Sequence, residues 1–417
     1  MAELSEADVA RTGRLIDTLV AQVKHDYPPP RVKRDAHPKM HGCVQAEFHV
    51  EKTLPAYLQH GIFRNLDSTY LAWVRYSNAF HIQHDLEFET RGMAVKLLDV
   101  GADNLVNDDG QTQDFLFATH DVFFLPNPEH YVEFATAVAV SPTKLFGFFI
   151  KQRLFRGLWA LLRSGYMIVS NPLAIPYYSQ TPYSLGPDQA VKLLASPRLT
   201  PALKRSLPGR VQFGLRMIVA NLALFLFEFP PAKMLIAFFK FQGNKGSAED
   251  FCDHYLALRD CLRLAMMSFL GEHDAWFDVL VQRTSETNPI IDDATKRWRS
   301  KFEKVATIRI PRQVFWPEVG MPSTIKNRTT EMVDLGENMS FNPWHALPEH
   351  KPLGPINETR RRVYKAIVET RHQLNCVPMP LPTPAKYNEI KAVVQYGDMS
   401  TPPVPASPPP CRSDDPR

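Results

Sequence analysis

Cysteine is scarce and scattered. Only five occur in 417 residues (Cys43, Cys252, Cys261, Cys376, Cys411), an odd number without a CxxC pair. A disulfide framework and a cysteine zinc site are therefore not expected, and a reducing compartment is favoured. Charge of one sign is lacking too. The formal net charge is +4 and no Lys/Arg block is dense, which excludes a nucleic-acid partner. No uninterrupted apolar run reaches the roughly 20 residues of a membrane span. The N-terminal MAELSEADVARTGRLIDTL lacks the apolar core of a secretory signal. A cytoplasmic protein is the expectation. No internal repeat is visible.

With 44% hydrophobic residues the chain can bury a large core. Residues 1–30 read as an N-terminal helical arm ending at Pro28-Pro29-Pro30. From about 40 to 125, the segments AEFHVEKTL, YLAWVRYSN, RGMAVKLLDV and DFLFATHDVFFL have strand composition and are separated by turns such as VGADN and NDDGQ. That spacing predicts antiparallel strands in a barrel or sandwich. ATIRIPRQVF predicts another strand, and residues 250–270 and 286–304 read as helices. Residues 376–417 are proline-rich and expected to be a disordered tail.

Apolar helical segments are predicted within 142–241. Residues 145–169 are interrupted by Lys151, Arg153, Arg156 and Arg163; residues 213–241 are broken by Arg216, Glu228 and Pro230-Pro231. The first reads either as a core helix with solvated charges or as a basic amphipathic helix lying on an anionic membrane. Peripheral membrane contact through 145–169 and 213–241 is the corresponding partner expectation. His81 and His84 have HxxH spacing without a third ligand nearby, which argues against metal.

Chemistry concentrates in NETRRRVYKAIVETRHQLN, residues 357–375. Asn357 suits an N-cap and Pro378 forbids continuation. On a 3.6-residue helix Arg360 lies about 40° from Tyr364, and Arg371 about 20° to the other side. Two guanidiniums thus flank one phenol. Ionising a free phenol at pH 7 needs roughly 4 kcal/mol, about what one guanidinium at ~4 Å supplies at an effective dielectric near 20. Such a group suits a tyrosinate ligand to haem iron. Spacing alone is more commonly that of an ordinary Arg-rich surface helix.

The ordered series MHGCVQAEFHV, VRYSN, RGMAVKLL, DFLFATHDVFFLPNP, YYSQTPYSLGPDQAVKL, FNPWHALPEHKPLG and RRRVYKAIVETRH resembles the catalase superfamily over residues 31–375. It is closer to the shorter catalase-related haemoproteins, the catalase-like peroxidase and allene oxide synthase type. The resemblance implies an α+β fold: a catalase-like antiparallel β-barrel holding haem b and wrapped by helices. It implies Tyr364 as the iron ligand, Arg360 as its charge partner, and Arg371 and Arg75 beside the haem propionates. It implies Tyr131 stacked on the haem, and His41 as distal acid/base oriented by Ser77. The Asn that catalases carry beside the distal histidine falls on Ala118 or Thr119, with Thr119 taken as the catalytic position. Pro38 stands in place of a third propionate arginine, for which Lys39 or Arg34 could substitute. His345 and His350 are expected in a loop near the haem helix. An oligomer of identical subunits is also implied.

Three functions follow as expectations: a haem oxidoreductase cleaving the O–O bond of organic or fatty-acid hydroperoxides, a weak hydrogen peroxide catalase or peroxidase, and a non-catalytic, membrane-peripheral haem-binding protein.

Overall fold

Nine strands form in the computed structural model, which describes residues 5–79, 82, 85, 89–108, 110–140, 142–165, 167, 169–208, 259–284 and 291–396. They are β1 (Met40–Val50), β2 (Thr69–Asn78), β3 (Arg91–Leu98), β4 (Thr112–Ala118), β5 (Tyr177–Tyr178), β6 (Tyr183–Ser184), β7 (Ala190–Pro197), β8 (Ala275–Arg283) and β9 (Phe302–Ile310). β1 pairs antiparallel with β2 and β9; β2–β3–β4–β5 and β9–β8–β7 continue on either side, and β5 pairs with β7 to close the ring. Eight strands thus make an antiparallel barrel, with β6 appended to β7. Barrels of this size are filled by side chains rather than hollow. Val44, Phe48, Val95, Phe277 and Ile308 are buried in that filling.

The helices are α1 (Glu6–Asp26), α2 (Tyr131–Val140), α3 (Pro142–Lys151), α4 (Phe155–Gly165), α5 (Pro201–Ser206), α6 (Cys261–Leu270), α7 (Ser323–Asn338), α8 (Pro355–Asn375) and α9 (Pro384–Tyr396). Ser5 caps α1, accepting the Asp8 N–H at 3.2 Å. The predicted arm is packed: Leu15 and Val23 join Ala135, Val363 and Ile367 in one apolar cluster. α8 begins two residues before the predicted cap, behind Gly354, whose φ of 85° favours glycine. Asn357 therefore lies inside the helix, donating to the Pro182 and Leu353 carbonyls.

Two expectations need correction, and one strand is new. The tail is not wholly irregular, because α9 lies within it. Tyr387, Ile390 and Val394 recur at helical spacing and are buried. Tyr387 Oη donates to the Ala46 carbonyl at 2.9 Å, and its ring meets Trp73 edge-on. Residues 291–304 hold no helix; Phe302 already begins β9. Strand β8, which was not anticipated, alternates buried and half-buried residues as a strand should. Cys43 and Cys261 are free thiols, whereas Cys376 is disulfide-bonded. Segment 213–241 and the His81/His84 pair lie outside the described residues. Among those described, no helix is long and apolar enough to cross a membrane.

Candidate functional site

Strand pairing assembles one wall of a cavity. Ser77 lies opposite Gly92, and Gly92 opposite Ala118; Arg75 lies opposite Ala94, and Ala94 opposite Leu116. Directly paired residues share a face, and so do residues two apart on one strand. These six therefore form two adjacent rows across β2, β3 and β4, and all six line one cavity. Across it stand Arg360 and Tyr364 of α8. Arg360 Nη2 donates to Tyr364 Oη at 3.1 Å, as the helical spacing predicts. Arg360 Nη1 is held by Thr181 Oγ1 and Asn357 Oδ1, at 3.3 and 3.2 Å.

The histidine over the strand wall is His37, not His41. His37 Nδ1 is 3.0 Å from Ser77 Oγ. Its N–H donates to the Ala79 carbonyl at 2.7 Å, and its own carbonyl accepts from Arg75 Nη2 at 3.0 Å. Its φ of 63° is unusual for a residue with a side chain and is held by these three bonds. A Cβ added at Gly92 would overlap the His37 ring at Cε1 and Nδ1, so the strand glycine makes room for the imidazole. Burial, then repulsion from Arg75, Arg360 and Arg34, pushes the His37 pKa down to about 3. The ring is neutral at ordinary pH.

His41 faces elsewhere because β1 is irregular between Met40 and Gly42. Its Nε2 is 2.7 Å from Asn78 Oδ1, within a buried network that includes Asp85, Lys39 and Arg91. Burial holds its pKa near 4. Thr119 is likewise outside the cavity. One residue beyond Ala118, it points to the opposite face, where its hydroxyl meets the Arg91 N–H and Ser164 Oγ at 3.3 and 3.1 Å. Ala118 is thus the residue of that pair that faces the cavity.

Arg34 and Arg75 line the first cavity, and Arg371 packs behind them. Arg34 Nη2 donates to the Met339 carbonyl at 2.7 Å, Arg75 Nε to Gly336 at 3.0 Å, and Arg371 Nη1 to Glu337. All three are gripped by carbonyls at the C-terminal end of α7, where the partial charge is negative. Arg34 Nη1 and Arg371 Nε are buried with no hydrogen-bond partner among the described residues. Burial depresses all three pKa values, and mutual repulsion adds to this for Arg34 and Arg371. Burial also opposes the Glu337 charge, but Arg75, Lys33 and Arg34 hold its carboxyl below the usual range.

A second cavity shares His37, Ala118, Gln180, Arg360 and Tyr364 with the first. It is walled by Phe123, Phe134, Val138 and Leu161, and Tyr131 faces it. The structure thus brings together Tyr364, Arg360, Arg75, Ser77 and Tyr131, with Arg371 behind them, and leaves out His41 and Thr119. Sequence reading missed His37; the available signal was Arg34-x-x-His37, four residues before the histidine chosen. His345 and His350 are in buried networks away from both cavities, with Asp114 and with the Ile62 N–H. No group of three or more His, Cys, Asp or Glu capable of holding a metal ion occurs among the described residues.

These features suit haem. The cavities are mostly apolar, a tyrosine oxygen and an imidazole line the same space, and two buried guanidinium nitrogens have no acceptor among the described residues.

No protein-family model matches the sequence, and no curated protein matches it either. Solved structures do resemble it. A fungal catalase aligns with a TM-score of 0.56 and 13% identity, over 85% of this chain and 62% of that one. Catalase A from Saccharomyces cerevisiae gives 0.53 and 15%, over 86% and 65%. A bacterial catalase gives 0.53 and 13%, over 83% and 60%. The chain spans less than two thirds of the length of these catalases. Its fold is catalase-like: a closed antiparallel barrel wrapped by helices.

Proposed function

We propose that the chain binds haem b through Tyr364 and acts on the O–O bond of organic hydroperoxides. The observation carrying this reading is a single cavity with Tyr364–Arg360 on one side and His37–Ser77 on the other. Haem bound there would supply an iron centre able to accept a peroxide oxygen and polarise the O–O bond. Tyr364 Oη would hold the iron, with the Arg360 charge at 3.1 Å stabilising negative charge on that oxygen. Arg34, Arg75 and Arg371 would take the propionates.

With Nδ1–H donating to Ser77, His37 Nε2 carries the ring's lone pair. That nitrogen can take the hydroperoxide proton and return it to the departing oxygen. Burial and three guanidiniums disfavour the imidazolium, which drives the proton onward. Two observations favour organic substrates over hydrogen peroxide. Ala118 offers no amide where the resemblance expects Asn, and the Phe123/Phe134 cavity is an apolar space beside His37.

The test is an absorption spectrum of the purified protein, followed by mixing with a fatty-acid hydroperoxide. A ferric, tyrosinate-type spectrum with consumption of the hydroperoxide is expected. Haem without consumption of it, but with consumption of hydrogen peroxide, would move the reading to small peroxides. A protein that cannot be loaded with haem would overturn it.

A further inference from the structure

Helices α3 and α4 present a solvent-facing surface that haem binding leaves unexplained. Phe146 and Ile150 of α3, and Phe155 and Trp159 of α4, are 52%, 44%, 58% and 64% exposed. Large apolar side chains exposed together mark a contact surface rather than ordinary scatter. Inward, Phe148, Phe149 and Ala160 are buried, and Ala160, Leu161 and Ser164 line the second cavity. One layer of helix therefore separates an exposed apolar face from the apolar space beside His37.

The charges on this layer have one sign. Residues 142–165 contain Lys144, Lys151, Arg153, Arg156 and Arg163 but neither Asp nor Glu. Lys151, Arg153 and Arg156 are exposed, and none forms a salt bridge among the described residues. On α4, Phe155 and Trp159 lie within about 40° of each other, with Arg163 and Arg156 following at about 80° and 100° from Phe155. An apolar edge bordered by cations suits the boundary between lipid tails and anionic headgroups, where tryptophan is enriched. A second copy would bring the same cations against themselves. The other long apolar stretch, 213–241, carries Arg216, Lys233 and Lys240 against Glu228 alone, so it offers no complement either.

We propose that the outer face of α3 and α4 docks the protein on an anionic lipid surface, with Phe155 and Trp159 entering the headgroup boundary and Lys151, Arg153 and Arg156 meeting the lipid charge. Docking needs neither haem nor turnover. Only the corollary, that lipid hydroperoxide passes from that surface to the second cavity, rests on the proposed function.

The experiment is co-sedimentation of the full chain with phosphatidylcholine vesicles, with and without phosphatidylglycerol. Binding to the anionic vesicles is expected. Each basic residue at such a surface contributes about fivefold in affinity, so Lys151→Gln with Arg156→Gln should weaken binding about 25-fold. Phe155→Ser with Trp159→Ser should abolish it while leaving the melting temperature unchanged, since both side chains are exposed. Failure to bind any vesicle would overturn the proposal, as would binding that survives both double variants, which would place the contact elsewhere, in residues 209–258 for example. A dimer in the parent protein that dissociates in Phe155→Ser with Trp159→Ser would assign the face to a second copy and overturn it too. None of these outcomes bears on the haem spectrum.

Discussion

Gly92→Ala separates the two histidines that compete for the distal role. The new methyl would overlap the His37 ring at Cε1 and Nδ1 and stand 3.1 Å from Ser77 Oγ. Ordinary carbon contacts are about 3.5–4.0 Å, so the ring must retreat by roughly 1 Å. It cannot retreat freely, because the Ser77 bond and two backbone bonds hold it at φ 63°. Misplacing a catalytic group by about 1 Å costs about 10²-fold in rate. The packing strain itself costs about 1–3 kcal/mol of stability.

The assay is stopped-flow mixing of haem-loaded protein with hydroperoxide, beside a urea unfolding curve. Gly92→Ala should keep its haem, because Tyr364 and Arg360 stand across the cavity, yet react about 10²-fold more slowly. His41→Ala should show the reverse. It strands part of the Asn78–Asp85–Lys39 network and loses about 1–3 kcal/mol of stability, with little change in rate. A Gly92→Ala protein that reacts at the parent rate, or a His41→Ala protein that reacts 10²-fold slower at full stability, would refute the assignment of His37.

Tyr364→Phe should abolish or greatly weaken haem retention, read from the Soret band; full occupancy with an unchanged spectrum would remove Tyr364 as ligand. Ala118→Asn should raise hydrogen peroxide turnover, followed by oxygen release, because residue 118 faces the cavity, whereas Thr119→Asn should destabilise the protein without that gain. Equal gains from both would contradict the strand register. Tyr387→Ala should cost about 3–5 kcal/mol in urea unfolding, since a buried ring and its bond to Ala46 are lost; a loss below 1 kcal/mol would show that α9 is dispensable. His37, His41 and His350 have folded pKa values of about 3, 4 and 4, all below the ordinary 6.5. The unfolded chain therefore binds protons first as pH falls, so stability is full above about 6.5 and is lost toward 4. The loss at pH 4.5 is about 2–3 kcal/mol for each histidine, and urea midpoints that stay level between pH 7 and 4.5 would contradict it.

Much of the proximal side was legible because helical spacing is a local property. Arg360, Tyr364 and Arg371 share a stripe in the sequence, and they share it in α8. The distal side was not legible to the same degree. Whether His37 or His41 faces the cavity depends on a strand irregularity at Met40–Gly42 and on a glycine from β3, neither of which is a local signal. The choice between Ala118 and Thr119 likewise turns on the face that β4 presents after pairing with β3. α9 was hidden for a different reason. Prolines dominate the composition of the tail, while the three side chains that dock the helix are spread over eight residues, from Tyr387 to Val394. β8 was hard to read because Trp276 and Leu280 interrupt the apolar/polar alternation of AWFDVLVQR, so its period of two is clear only in which residues are buried.

The arginine cluster bears on whether this cavity is merely a packing defect. A fold stabilised for itself would not gather Arg34, Arg75 and Arg371 at one buried end, since each lost solvation and the first and last repel their neighbours. The compensation inside the chain is partial. Carbonyls at the end of α7 supply a fraction of a negative charge. Glu337 supplies one more, which it shares with Lys33 at 2.8 Å. Asp35 also lies near Arg34 and Arg371, but burial opposes its ionisation; among the described residues, two guanidinium nitrogens still lack an acceptor. A guest bearing two carboxylates, with an apolar body and an atom for Tyr364 Oη, would satisfy charge, hydrogen bonds and volume together. A neutral lipid filling the same space would satisfy only the volume.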